Sequence, residues 1–177
     1  NCLEGIAVTM RNKLRIAIVG AALSAASFAS AASAATSATA TASAEVLSTL
    51  TVTADSALRF GQIAANTGGT VTVNGDSTVA STGSLISTGT RAPASFTVTG
   101  TPGASVAVSL PASATLTRSG GTETMSIAGF NSNLSGAFQL AAGTGAATFA
   151  VGGTLTVGAN QVAGVYNGTF SVSVEYQ

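Results

Sequence analysis

The sequence predicts an all-β fold, a sandwich or barrel of short antiparallel strands, and three observations predict it. Val, Ile and Thr are abundant and alternate with other residues at period two. Glycine-rich turns cut the alternation at roughly 8–12-residue spacing, as in sandwiches and barrels. No window sustains a helical period outside one apolar run near the start.

That run belongs to a targeting signal. Met10 reads as the initiator, with residues 1–9 as upstream sequence. From Met10 come a cationic stretch with Arg11, Lys13 and Arg15, an apolar stretch, and small residues that fit an A-x-A cleavage site. The cut falls after Ala34 or, nearly as well, after Ala31. Residues 10–34 are therefore expected to be a signal peptide, and the run is too short and too rich in Ala and Ser for a membrane anchor. The mature chain is expected to enter an oxidising compartment with no cysteine, because Cys2 is the only one.

Residues 35–46 follow as an N-terminal extension, and 47–177 as the domain. In the extension Ala38, Ala40, Ala42, Ala44 and Val46 share one parity, which is strand periodicity. Its low complexity also suits a solvated tail. In the domain Leu58, Phe60 and Ile63 mark a strand, then Val71 and Val73. Phe96 and Val98 precede a turn at Gly100–Gly103, and Val106, Val108 and Leu110 stop at Pro111. Leu116, then Met125 and Ile127, flank a turn at Gly120–Gly121. Phe149 and Val151 are separated from Leu155 and Val157 by Gly152–Gly153. In the last strand Tyr166, Phe170, Val172, Val174 and Tyr176 share a parity, which fits either a core strand or an assembly edge. The predicted core is Leu58, Phe60, Ile63, Phe96, Val98, Val106, Val108 and Leu110.

Composition removes most chemistry. Charged residues are 7% of the chain against a usual ~25%, yet the β-branched alternation argues against disorder. Beyond Arg15, three arginines against five acids leave a net charge of −2, so no nucleic-acid partner is expected. There is no histidine and no lysine after Lys13, which excludes triads, Ser–Lys nucleophiles and Lys–Asn isopeptide crosslinks. The acids form no calcium-loop motif, and Gly143-x-Gly145 precedes no helix. The expectation is a protein with no enzymatic activity, cofactor or metal. Asn133-Leu134-Ser135 and Asn167-Gly168-Thr169 match the glycosylation sequon but read as turn residues.

Three segments carry a resemblance: LTVTADSALRFGQIA (50–64), FTVTGTPGASVAVSLP (96–111) and LTVGANQVAGVYNGTFSVSVEYQ (155–177). They resemble the bacterial exported family called domain of unknown function 4402. That family in turn resembles the spore coat protein U type of pilin, sharing an L-x-F-G element (Leu58, Phe60, Gly61) and a closing G-x-Y-x-G-T-F pattern from Gly164 to Phe170. The resemblance implies an immunoglobulin-like antiparallel β-sandwich that is incomplete and is completed by a donor strand. It implies head-to-tail assembly with identical or related subunits, aided by a periplasmic chaperone and an outer-membrane usher. The donor would be Ala35–Val46, and the chain would pass through the periplasm to the cell surface. The expected mature chain departs from the pilins in lacking cysteines. A structural fibre subunit is thus the leading expectation, a monomeric surface binding module the second, and an outer-membrane barrel the third. No membrane span is expected in the mature chain.

Overall fold

The computed structural model describes residues 36–177 except Ser135, and among these residues the chain forms thirteen strands and no helix. The expected signal segment, residues 1–9 and Ala35 lie outside the described residues. The strands pair antiparallel throughout and stack as a two-layered sandwich.

One layer is a single large sheet. Its central path runs β1 (Thr51–Ser56), β6 (Ala94–Thr99), β11 (Ala146–Val157), β9 (Thr124–Ser132), β8 (Ser113–Arg118) and β12 (Tyr166–Asn167). β3 (Gly69–Val73) pairs with β11, and β4 (Val79–Gly83) pairs with β3. β11 spans 12 residues because two partners share one of its edges. Ala146–Val151 pair with β6, and Gly153–Val157 pair with β3. Gly152 sits where the partners change, and a Cβ there would strike the Val73 carbonyl. The sequence suggested two strands parted by Gly152–Gly153. The chain instead runs straight through this pair as a bulge, with the register against β9 shifting between Gly152 and Thr154.

The inner face of this sheet follows strand parity. Phe149, Val151, Leu155 and Val157 of β11 are buried, as are Phe96 and Val98 of β6 and Val71 and Val73 of β3. The outer face is hydroxylated. Thr82, Thr70, Thr156, Ser126 and Thr115 lie side by side across five strands, and Thr53, Thr97 and Thr148 across three. Oγ1–Oγ1 hydrogen bonds tie Thr70 to Thr82 (2.7 Å), Thr72 to Thr154 (2.9 Å) and Thr51 to Thr99 (2.6 Å).

The second layer is in two pieces. β2 (Arg59–Ala64) pairs with β5 (Ile86–Ala92), and β7 (Ser105–Ser109) lies between β10 (Ala137–Gln139) and β13 (Ser173–Tyr176). Each piece covers its own cluster. Under β7 and its partners, Phe96 and Phe149 stack at 5.4 Å, joined by Val106 and Leu140. Under β2, Phe60 meets Val71, Ile127, Leu155 and Val157. Each such side chain, once buried, contributes about 1.5–3 kcal/mol.

Of the predicted core, Phe60, Phe96, Val98 and Val106 are buried. Leu58, Ile63, Val108 and Leu110 are half-buried and pack against the two clusters.

Candidate binding groove

Beside β2 runs a groove of about 1380 Å³. That volume exceeds the roughly 300–1,000 Å³ typical of small-molecule pockets. One wall is β2 with its flanks, residues 57–66; the other is the stretch 161–170. The buried side chains of Phe60, Phe96, Ile127, Leu155 and Val157 form its floor. Half-buried Leu116, Met125 and Phe170 extend the apolar lining, and Arg59 is its one charged residue.

Neither wall is fully paired. Among the described residues β2 pairs only with β5, which leaves its groove-side edge without a strand partner. In the facing wall Tyr166 and Asn167 pair with β8, and beyond the wall Ser173–Tyr176 pair with β7. Residues 168–172 between them belong to no strand. The sequence suggested one continuous last strand. It divides because the chain crosses here from one layer to the other, so its first part pairs in the large sheet and its last part in the second layer.

Glycines shape both walls. Gly61 has φ +78°, and a Cβ on it would strike the Thr88 carbonyl at the bulge between β2 and β5. Gly168 lies so close to β8 that a Cβ would strike the Thr115 carbonyl. Gly164 leaves room for the aliphatic part of Arg118. The Arg118 guanidinium binds Glu123 at 2.6 Å, and that hydrogen bond holds the Glu123 carboxyl below its usual pKa. Tyr166 ties the 161–166 loop together: its hydroxyl donates to the Val162 carbonyl (2.7 Å) and accepts from Gln161 Nε2 (2.8 Å). Phe170 packs against Phe96 (6.1 Å between ring centroids) and Phe130 (4.9 Å).

The two motifs singled out in the sequence therefore stand opposite one another. Leu58, Phe60 and Gly61 lie on one wall, and Gly164, Tyr166, Gly168 and Phe170 on the other. Over residues 50–176 the chain matches the family described as Domain of unknown function (DUF4402). This protein belongs to that family. No curated protein and no solved structure matches the chain.

The DUF4402 domain distributes the remaining candidates unevenly. Of the last-strand residues Tyr166 and Phe170 line the groove, whereas Val172, Val174 and Tyr176 pack against the cluster around Phe96. Ala38, Ala40, Ala42, Ala44 and Val46 are exposed and lie in no strand, so the alternation in the extension forms no sheet within this chain. Sequence reading missed Val162 and Val165, which line the groove at 45% and 67% exposure. The available signal was two valines in a Gly/Asn-punctuated loop with no strand period to explain them. Among the described residues no cluster of metal-ligating side chains forms, and no helix is long and apolar enough to cross a membrane.

Proposed function

We propose that this DUF4402 protein is an exported structural subunit of a surface fibre. Its groove receives an extended segment from a neighbouring subunit, and its role is mechanical rather than enzymatic. The observation that carries this reading is the pair of half-paired walls, β2 and the stretch from Gly168, flanking an apolar groove. An added strand satisfies the main-chain groups of both walls, and alternate side chains fill the floor. The sandwich then becomes immunoglobulin-like and complete.

The donor is the extension 35–46. Extended at ~3.3–3.6 Å per residue, those 12 residues reach about 40 Å, enough to follow the whole of β2. They carry one charge, Glu45, and the β2–β5 pair carries Arg59 and Arg91 with no acid. Each subunit gives one extension and accepts another, so contacts run head-to-tail and do not close on themselves. Before assembly a periplasmic chaperone covers the groove, and an outer-membrane usher passes the subunit outward.

The test is size-exclusion chromatography of Ala35–Gln177 and Val46–Gln177. The long form is expected to make SDS-resistant multimers. The short form is expected to stay monomeric and to bind a synthetic 35–50 peptide. Two equally stable monomers that ignore the peptide would overturn the proposal and leave a self-contained surface binding module.

A further inference from the structure

Where the extension meets the domain, both backbone groups of Ser48 are gripped. Its N–H donates to Thr101 Oγ1 (2.7 Å), and its carbonyl accepts from the Tyr176 hydroxyl (2.9 Å). The same hydroxyl accepts from the Thr101 N–H (2.8 Å). Gly100 makes the space: a Cβ there would strike the Tyr176 hydroxyl and press on Leu50 and Leu140. Tyr176 is itself held in β13, opposite Val106 of β7. β13 continues directly from 168–172, next to the groove wall.

The clasp thus joins two ends of one route. On one side it holds the point from which the extension departs. On the other, a few residues of covalent chain lead from Phe170 in the groove wall to Tyr176. We propose that Tyr176 and Thr101 carry tension between successive subunits. This rests on the fibre reading above. A pull on the extension reaches Ser48 before it reaches β1, the edge strand that begins at Thr51 opposite Thr99. While the clasp holds, the pull passes through the Tyr176 hydroxyl into β13 and back along the chain to the groove wall, where the neighbour's extension sits. Once the clasp opens, β1 is loaded from its end and its pairs with β6 break one at a time. Tyr176 and Thr101 are positioning residues here, since neither lines the groove.

The experiment is single-molecule pulling on the full chain with Cys2→Ser and handles at Val46→Cys and Thr169→Cys. Adding Tyr176→Phe keeps the ring and removes the hydroxyl. The first rupture at fixed load is expected to quicken about tenfold, the effect of losing one or two neutral hydrogen bonds. Thr101→Val, which removes the other side-chain partner, is expected to act in the same direction. A control pair of handles at Ser81→Cys and Thr169→Cys avoids the clasp, and there the rate is expected to stay unchanged. Equal rates in wild type and both variants along the 46–169 axis would overturn the inference. So would equal quickening along both axes, which marks a merely structural role. Because the pull is on single molecules, failure of the clasp is distinguishable from failure of fibre assembly, which the chromatography reads.

Discussion

Single glycines decide where strands of this DUF4402 domain can approach one another. Gly152 is the sharpest case, because it faces the backbone of Val73 and Asn74 rather than a side chain that could swing away. Gly152→Ala is expected to destabilise the domain by ~1–3 kcal/mol, the usual cost of overpacking an interior site. Chemical denaturation of the short form checks this. Gly143, with nothing near its missing Cβ, offers the control: Gly143→Ala is expected to leave the midpoint almost unmoved. Sequence reading found both glycines and could not rank them. A close backbone approach between residues ~80 positions apart leaves no local mark, whereas glycines such as Gly61 and Gly168 were legible once placed in their motifs.

Among the elements, the extension and the groove make the most demanding pair. If the extension is the donor strand proposed above, its alanines at 38–44 present one methyl each, and main-chain hydrogen bonding supplies most of the affinity. On that proposal, enlarging the inward positions is expected to strengthen binding. Ala42→Val in the 35–50 peptide adds two carbons and is expected to tighten its hold on the short form roughly tenfold. Thr41→Val changes the opposite parity and is expected to gain far less. Isothermal titration separates the two, and equal gains would mean that the extension does not seat by strand parity. Strands with a clean period, such as β6 and β7, were legible in the sequence because one face is core and the other solvent. β4 and β5 were missed because most of their side chains are exposed, so alternation carries no apolar signal. The break in the last strand was hidden for a different reason. Its side chains keep one parity while its backbone changes partners between layers.

For the whole molecule, two core clusters under a divided layer raise the question of cooperativity. β11 supplies Phe149 and Val151 to one cluster and Leu155 and Val157 to the other, and Leu58 and Phe130 touch both. Melting one half strips cover from the strand that organises the other. The short form is expected to unfold in one transition, with far-UV circular dichroism and calorimetry giving the same midpoint. Two resolved transitions would mean that the halves are separable. The all-β sandwich itself was readable from period-two patterning and turn spacing, and the family from three segments of the chain. The groove was not readable, because its walls come from β2 and the 161–170 loop, about 100 residues apart. No local pattern records that two edges face each other across a gap.

The hydroxylated outer face of the large sheet carries its own consequence. Its rows hold threonine, serine and alanine, with Asp55, hydrogen-bonded to Thr97, as a rare carboxylate among them. Dissolved ions act on a surface through its fixed charges, and screening reaches about 10 Å at 0.1 M salt. This face offers them almost nothing to screen. It is a skin governed by hydration, as much the same in brackish water as in fresh.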